Sequence, residues 1–244
     1  MADISIRVEG LSYTYPDGWK VLSDVSFELR TGTSVALVGA NGCGKTTLLW
    51  LIAGLLEAEQ GTVYIDEILL DRKNVRTLQK KLGLAFQHPD DQLFMTTVRQ
   101  DVEFGPRNAG YEEDEISRRA EEAMKRTGCL HLSDRPPYRL SGGEKRMVSL
   151  ATLLATDAEI LLLDEPTNAL DPRSRRNTIN LLGELEHTRL IATHDLDMAL
   201  DICDEVMVMH RGSIAARGPA QLILKDRPLL ESVGLESPLS LVLP

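Results

Sequence analysis

The stretch Gly39-Ala40-Asn41-Gly42-Cys43-Gly44-Lys45-Thr46 fits the pattern G-x-x-x-x-G-K-[ST]. It follows an apolar run at residues 35–38 and precedes a helical run at residues 47–56. Glycines let the backbone wrap closely around phosphate oxygens, while the start of the next helix adds partial positive charge. In this pattern Lys45 reaches the β- and γ-phosphates, and the Thr46 hydroxyl can ligate magnesium. The stretch therefore predicts a nucleotide-binding α/β core.

A buried strand that ends in two acidic residues is the second motif. It reads Ile160-Leu-Leu-Leu-Asp164-Glu165, and Asp164 lies 119 residues after Lys45 (164 minus 45). P-loop enzymes hold magnesium with an acidic residue in this place, here Asp164. Glu165 is next to it and could polarise the attacking water as a general base. Such a strand end is common by itself, so its weight comes from the phosphate-binding stretch that accompanies it.

The third motif, Leu140-Ser141-Gly142-Gly143-Glu144, precedes a helical run at residues 147–155. Ser141 and Glu144 have the spacing of a capping box, so one interpretation is simply a well-started helix. Two glycines in the first helical turn are poor for that purpose, because each costs up to about 1 kcal/mol relative to alanine. Exposed amides without side chains in the way suit an approaching phosphate. The motif therefore predicts an anion site that meets the nucleotide of another subunit.

The composition limits the class of protein. The 244 residues include 27 basic and 37 acidic side chains, for a net charge of −10, and 43% are hydrophobic. This balance is typical of a soluble globular protein and argues against a general nucleic-acid binder, which carries a basic surface. The longest apolar run, residues 48–56, would span about 13 Å as a helix, against about 30 Å of bilayer core. No membrane span is predicted, and Cys43, Cys129 and Cys203 are expected to be reduced thiols.

Two kinds of strand pattern divide the rest of the chain. Apolar and polar residues alternate at 4–8, 25–29 and 63–65, which is typical of antiparallel strands with one buried face. Continuous apolar runs at 34–38, 159–163 and 189–193 indicate strands buried on both faces of a parallel sheet. Residues 206–212 are predicted to begin a terminal hairpin. Residues 89–157 contain no such run, and their charge-rich segment 112–126 has helical spacing.

These patterns predict an α/β fold: a P-loop NTPase core with an antiparallel β-subdomain and an inserted helical subdomain. The expected bounds are 1–88 and 158–215 for the core with its N-terminal β-subdomain, and 89–157 for the helical subdomain that carries the third motif. Residues 216–244 are expected to form a C-terminal helix and tail. This tail either packs on its own core or contributes to a dimer contact, and the sequence leaves both open.

Five motifs in this order and spacing resemble the nucleotide-binding domain of ABC transporters. They are the phosphate-binding stretch, Leu140-Ser-Gly-Gly-Glu144, residues 160–166, Asn168-Ala-Leu-Asp171 and His194-Asp195. The resemblance covers roughly residues 4 to 220. It implies that ATP is the nucleotide, Mg²⁺ the cofactor and ATP hydrolysis the activity.

The resemblance also assigns roles to matching residues. Tyr15 matches the aromatic that stacks on adenine, with Tyr13 as the alternative if the register differs. Gln87 matches the glutamine that reaches magnesium and the attacking water, and His194 matches the histidine that contacts the γ-phosphate. The expected ATP-binding residues are Tyr15, Asn41, Gly42, Cys43, Gly44, Lys45, Thr46 and Thr47. Magnesium would be held by Thr46, Gln87 and Asp164. The expected catalytic residues are Glu165, His194 and Gln87.

The same resemblance implies a dimer in which two protomers sandwich two ATP molecules head to tail. The signature residues Ser141, Gly142, Gly143 and Glu144 would face the partner's ATP, and the first three would bind its γ-phosphate. Asp171 matches a loop that communicates across the dimer. Because every element is present, including Glu165, a symmetric dimer would have two competent sites. Whether the partner is a second copy or a paralogue stays open.

Residues 85–94 and 98–108 narrow the resemblance to the ATPase of energy-coupling-factor importers. The first segment reads Ala85-Phe-Gln-His-Pro-Asp-Asp-Gln-Leu-Phe94, with His88 where asparagine is usual. The resemblance implies integral membrane transport subunits as partners, a peripheral location on the cytoplasmic face of the membrane, and no direct contact with the transported substrate. Residues 140–151 favour the cobalt/nickel branch. A vitamin importer such as one for biotin, or a soluble ATPase of iron–sulfur cluster assembly, are the alternatives.

Cys43 carries one further hypothesis. It lies beside Lys45 and the start of a helix, and both lower the pKa of a thiol. The sequence therefore predicts a reactive thiol that ATP protects from alkylation, the alternative being a small, inert residue.

Overall fold

The computed structural model describes residues 3–242. In this range the chain forms ten strands: β1 (Ile4–Thr14), β2 (Lys20–Arg30), β3 (Ser34–Val38), β4 (Gln60–Ile65), β5 (Ile68–Leu69), β6 (Leu82–Ala85), β7 (Ile160–Asp164), β8 (Thr188–Thr193), β9 (Glu205–His210) and β10 (Ser213–Pro219). The same range contains ten α-helices: α1 (Lys45–Ile52), α2 (Val75–Gln79), α3 (Val98–Ala109), α4 (Glu113–Arg126), α5 (Gly142–Leu154), α6 (Pro172–Gly183), α7 (Leu196–Ile202), α8 (Ala220–Ile223), α9 (Arg227–Ser232) and α10 (Leu239–Val242). None of these helices combines the length and the apolar character needed to cross a bilayer.

The strands form two sheets. One is antiparallel, with the order β2-β1-β4-β5. The other has the order β10-β9-β3-β8-β7-β6 and is parallel except for the terminal pair of β9 and β10. Alternating residues on β1, such as Ile6 and Val8, are buried, because one face of the antiparallel sheet covers the core. The predicted fold class, with its α/β core and antiparallel β-subdomain, is confirmed.

The parallel strands β3, β7 and β8 are buried along their whole length. Successive side chains point to opposite faces of the sheet, so each strand contributes to two cores. On β7, Leu162 packs with α1 and the antiparallel sheet, whereas Leu161 and Leu163 pack with α6 and α7 on the other face. This double burial is why these strands read as continuous apolar runs.

Helices α3, α4 and α5 pack around a third apolar cluster that includes Val102, Met124 and Val148. Helix α4 begins with Glu113, Asp114 and Glu115, which the helix dipole favours at that end. These helices supply the inserted helical part that the sequence predicts, and α5 carries the signature residues at its first turn.

Strand β6 has no counterpart in the sequence-based prediction. Its four residues, Leu82-Gly-Leu-Ala85, are few and include a glycine, which weakens a strand signal, and the strand forms because it pairs with β7 at the edge of the sheet. Because β6 is parallel to β7, its carboxyl end, and Gln87 just beyond it, reach the same edge of the sheet as Asp164.

The C-terminal helices pack on the chain's own core, where Leu224, Leu230 and Val233 are buried. The backbone amides of Leu239 and Ser240 donate to the carboxylate of Asp197 on α7. Packing on its own core therefore accounts for much of this segment, and a dimer contact stays a prediction.

Candidate active site

The carboxyl ends of β3, β6, β7 and β8 meet at one edge of the parallel sheet and form a cleft of about 510 Å³. This volume falls in the range that small-molecule ligands occupy. The lining residues are Tyr15, Trp19, Val21, Asn41, Gly42, Gly44, Lys45, Thr46, Thr47, Gln87, Asp164, Glu165, Asn168 and His194. The structure thus brings together all the residues predicted to act in one protomer, with the exception of the Cys43 side chain.

The phosphate-binding loop joins β3 to α1. Helix α1 begins after Gly44, whose φ of 109° lies in the left-handed region, and no side chain caps the helix start. A Cβ on Gly44 would also collide with Leu22. The first amides of α1 are therefore open toward the cleft, where they can donate to a phosphate.

Lys45 is nearly buried inside this loop, with 6% of its surface exposed. Its Nζ donates to the carbonyl oxygen of Gly39 at 2.8 Å and reaches that of Ala40 at 3.4 Å. These two carbonyls hold the ammonium group at the centre of the loop. The cation is thereby placed among the amides that would face the phosphates.

Thr46 and Asp164 form the part of the cleft that can hold a divalent cation. The Thr46 hydroxyl donates to Asp164 Oδ2 at 2.8 Å. Within residues 3–242 the other carboxylate oxygen, Oδ1, is buried without a hydrogen-bond partner, and burial raises the pKa of Asp164. An unpartnered buried carboxylate oxygen is costly. Since Mg²⁺ prefers hard oxygen ligands, it fits this pair of residues.

Glu165 has a constrained backbone and an oriented side chain. Its φ of 47° is left-handed, which costs a non-glycine residue about 1–2 kcal/mol. The amide donates to the carbonyl of Ala192 at 2.8 Å, which anchors this turn to β8. Only 7% of the side chain is exposed, although it lines the cleft. Strained backbone that is held in this way is typical of catalytic positions.

His194 follows β8 and lies beside Glu165. Its Nδ1 is 2.8 Å from Glu165 Oε2, and its backbone amide donates to the same oxygen at 3.2 Å. The imidazole is 55% exposed and faces the open cleft. The carboxylate is thus oriented from one side by the loop that carries the histidine.

Tyr15 rather than Tyr13 lines the cleft, which favours the first of the two registers left open by the sequence. The Tyr15 hydroxyl is 3.0 Å from Thr47 Oγ1, so the ring is tied to α1. Trp19 lies nearly parallel to it, with centroids 6.0 Å apart and an angle of 19° between the planes, and 54% of Trp19 is exposed. No sequence motif indicates Trp19 as a site residue. An aromatic residue directly after the turn Pro16-Asp17-Gly18 was the available signal.

The signature residues lie outside the cleft of their own chain. Ser141 and Glu144 form the capping box, with Glu144 N donating to Ser141 Oγ at 3.3 Å and Ser141 N donating to Glu144 Oε2 at 2.8 Å. A Cβ on Gly142 would meet open space, whereas one on Gly143 would overlap Ser174 at the start of α6. Gly143 therefore serves the packing of α5 on α6, and Gly142 leaves the helix start open.

Asp171 also lies outside this cleft, at the start of α6. Its carboxylate accepts hydrogen bonds from the backbone amides of Arg173 and Ser174 and from the Ser174 hydroxyl. These bonds lower the pKa of Asp171. Through Ser174 the residue adjoins the signature glycines, so both elements present themselves on one surface of the protomer.

Cys43 does not have the reactive environment that the sequence suggests. The residue is 8% exposed and packs in the apolar core, and burial raises the pKa of its thiol, outweighing the opposite effect of Lys45. The expectation of a lowered thiol pKa was wrong, because the sequence identifies the neighbouring charge but not the direction of the side chain. Only the backbone of Cys43 remains a candidate for contact with phosphate.

All three thiols are expected to resist modification in the native protein. Cys129 and Cys203 are also buried, and burial raises the pKa of Cys203 to about 11. At pH 8 dithiobisnitrobenzoate should therefore label fewer than one thiol per native chain and three after denaturation. Because the thiolate forms as the pH rises, labelling should accelerate toward pH ~10. Rapid labelling of Cys43 that MgATP suppresses would instead support the reactive-thiol hypothesis.

The fold and the cleft define the class of protein as a P-loop nucleotide hydrolase. In this chain the signature motif lies on a helical part, separate from the nucleotide cleft. The family model described as ABC transporter matches residues 22–168. An energy-coupling factor transporter ATP-binding protein, EcfA, of Carboxydothermus hydrogenoformans is 42% identical over 240 residues, covering 97% of this chain and 88% of the relative.

Solved structures agree with this match. CbiO1 from Clostridium perfringens, part of the ABC transporter complex CbiONQ, has a TM-score of 0.83 and 38% identity and covers 95% of both chains. The cassette MJ0796, solved as a dimer bound to ADP and phosphate in a post-hydrolysis state, has a TM-score of 0.81 and 26% identity, covering 88% of this chain and 98% of that one. The chain belongs to the ABC transporter ATP-binding family. It binds and hydrolyses ATP as the ATPase of an ABC transporter.

Proposed function

We propose that this chain powers an importer of the energy-coupling-factor type and docks on a membrane subunit through the surface that follows Gln87. The observation that carries the proposal is an exposed aromatic pair on that surface. Phe94 is 63% exposed and Phe104 37% exposed, and their rings meet edge to face with centroids 4.9 Å apart. The resemblance to EcfA and to CbiO1 supports the same assignment.

The backbone of this surface is held in place from within. Asp101, which is 3% exposed, accepts hydrogen bonds from the backbone amides of Phe94 and Met95, each at 3.0 Å. Phe94 is therefore presented to solvent from a fixed loop rather than from a loose one. A fixed, exposed aromatic pair suits an apolar partner helix.

In the proposed hydrolysis step, Glu165 accepts a proton from the water that attacks the γ-phosphate. His194 keeps this carboxylate oriented and contacts the γ-phosphate, and Lys45 together with the amides at the start of α1 neutralises the phosphate charge. Mg²⁺ would be held by Thr46, Asp164 and Gln87, and when bound it supplies charge neutralisation at the phosphates.

The second protomer completes the site in this proposal. Ser141, Gly142 and Gly143 lie outside their own cleft, so a phosphate contact would have to be made to the ATP of the partner. The Asp171 loop adjoins these residues and would sense the partner's site. ATP binding then closes the dimer, and hydrolysis reopens it.

For the transported substrate we propose cobalt or nickel ions, on the resemblance of residues 140–151 to that branch. The ions would pass through membrane subunits at whose cytoplasmic face this chain is bound. A vitamin importer is the second candidate. Uptake of radioactive Co²⁺ or Ni²⁺ by cells that express the chain together with candidate integral membrane subunits tests the choice between a metal and a vitamin as the transported substrate. An iron–sulfur assembly ATPase is the third candidate, and it requires no membrane partner.

A substitution on the proposed docking surface provides the first test of the proposal. Phe94→Glu is expected to abolish co-purification with a co-expressed integral membrane transport subunit, because a buried carboxylate would have to be desolvated in the interface. The basal ATPase rate should stay within about twofold, since surface substitutions away from the site have small effects. Pull-down from a detergent extract measures co-purification, and phosphate release measures the basal ATPase rate.

Ile68→Glu is the matched control, because Ile68 is 48% exposed but lies on the antiparallel sheet. It should leave co-purification intact. Retention of the membrane subunit by Phe94→Glu would contradict the proposed docking surface. Absence of any membrane partner for the wild-type chain would favour the iron–sulfur alternative.

A further inference from the structure

Arg146 is the most deeply buried charged residue near the cleft, with 1% of its surface exposed. It lies on α5, five residues after Ser141, at a distance of about 7.5 Å along the helix axis. Its Nη1 donates to the carbonyl of Phe86 at 2.9 Å, and its Nη2 to that of Gln87 at 2.6 Å. Nη2 also reaches the carbonyl of Glu165 at 3.5 Å. The guanidinium therefore touches the backbone of two of the predicted catalytic residues.

All the acceptors of Arg146 are backbone carbonyls. In the part of the chain that the structure describes, Nε has no hydrogen-bond partner. Burial lowers the pKa of Arg146 to about 10, so the group remains a cation at neutral pH. Burying a cation is costly, and here that cost is offset by the three backbone carbonyls and by the nearby carboxylates of Asp164 and Glu165. The arrangement is therefore poorly explained by packing alone.

Helix α5 holds the segment after β6 at further points. Lys145 pairs with Asp90 at 2.6 Å. The Ser149 hydroxyl donates to Gln92 Oε1 at 2.8 Å, and Gln92 Nε2 donates to Thr152 Oγ1 at 2.6 Å. These contacts fasten residues 86–92 along the helix that begins with the signature residues. Arg146 differs from them because it also reaches the turn after β7.

We propose that Arg146 is a positioning residue that links movement of the signature helix α5 to the placement of Gln87 and Glu165. When the signature residues engage the partner's nucleotide, α5 shifts, and the planar guanidinium carries the three carbonyls with it. Arginine suits this task because its rigid fork can serve several acceptors at once, whereas lysine offers a single rotating point charge. The inference rests on the catalytic roles proposed above for Gln87 and Glu165.

The test compares Arg146→Lys with the exposed control Arg118→Lys on α4, using steady-state ATPase kinetics of the full chain. Arg146→Lys should lower kcat by about 10–100-fold and leave the KM for ATP within about threefold, because it disturbs the geometry of catalysis and not the phosphate loop. Arg118→Lys should behave as wild type. Thermal unfolding of both variants establishes that they are folded. A kcat for Arg146→Lys within about twofold of wild type would overturn the proposal.

A double-mutant cycle separates positioning from a merely structural role. If Arg146 acts through Gln87, the Arg146→Lys substitution should cost much less in the Gln87→Ala background than in the wild type. Equal costs in the two backgrounds would overturn the proposal. If Gln87→Ala and Glu165→Gln themselves hydrolyse ATP at the wild-type rate, the proposed catalytic roles of Gln87 and Glu165 are wrong. These two single variants therefore test the proposed function separately from the role of Arg146.

If Arg146→Lys does not fold, Gln92→Ala tests the attachment of the segment after β6 to helix α5. It removes the contacts with Ser149 and Thr152 but leaves the core of α5 untouched. The proposal expects a lowered kcat with unchanged KM. An unchanged kcat for Gln92→Ala in that case would overturn it.

Discussion

Glu165→Gln is expected to lower the ATPase rate by about 10²–10⁴-fold, the usual contribution of a general base, while the Kd for MgATP changes by less than about threefold. The amide keeps the shape of the side chain and its contact with the His194 loop but cannot accept the proton of water. The amides and Lys45 that are expected to contact phosphate lie on the loop after β3 and at the start of α1, and the substitution leaves them untouched. Binding without hydrolysis should therefore trap the closed dimer.

Two measurements check this expectation. Phosphate release gives the rate, and gel filtration with ATP reports whether the variant runs as a dimer that the wild type forms only transiently. Glu159→Gln is the matched control, because Glu159 is an exposed carboxylate just before β7, at the opposite end from the cleft. Wild-type hydrolysis by Glu165→Gln would show that another group is the base.

Mixing two inactive variants should restore activity if the dimer is arranged head to tail. Lys45→Ala removes the cation of the phosphate loop, and Gly142→Asp places a negative charge where the partner's phosphate would lie. Gly142 suits this purpose because a Cβ there has no neighbouring atom within 4 Å, and an acidic residue is favourable at a helix start. Each variant alone should lose nearly all activity, since both sites of its homodimer are damaged.

In the mixed dimer one site receives both defects and the other receives none. A one-to-one mixture should therefore recover about a quarter of wild-type activity, because about half of randomly formed dimers are mixed and each holds one intact site of two. The measurement is ATPase activity after subunit exchange. Lys45→Ala mixed with Thr46→Ala is the control and should not recover, since both changes damage the same half of the site. Absence of recovery in mixtures with proven exchange would exclude the head-to-tail arrangement.

Much of the fold could be predicted from local patterns. The strands β3, β7 and β8 are evident because strands buried on both faces show short continuous apolar runs instead of alternation, and the helical part is evident from its spacing. Strand β6 was missed because its stability comes from pairing with β7 and not from its own four residues. The order of the strands depends on contacts between distant segments, which no local pattern contains.

The candidate site divides in a similar way. The sequence predicts those parts of the site that require particular residue types at short spacing. Examples are the loop that ends in Lys45 and Thr46 and the pair Asp164 and Glu165. The sequence does not predict the environment of each side chain. Trp19 lines the cleft, although no sequence pattern indicates it as a site residue. The Cys43 side chain is buried in the core, although the sequence predicts a reactive thiol at that position.

The short motifs are sufficient to identify this chain as an ABC-type ATPase, because backbone amides, one cation and a few oxygen ligands in fixed order suffice to bind a nucleotide. Only the folded structure shows how these parts are connected. It revealed the unpartnered oxygen of Asp164, the strained turn at Glu165 and the buried Arg146 beneath Gln87. The physical reason is that burial and hydrogen bonding depend on segments far apart in the chain. A side chain's neighbours in space, and with them its charge state and orientation, exist only once the chain has folded.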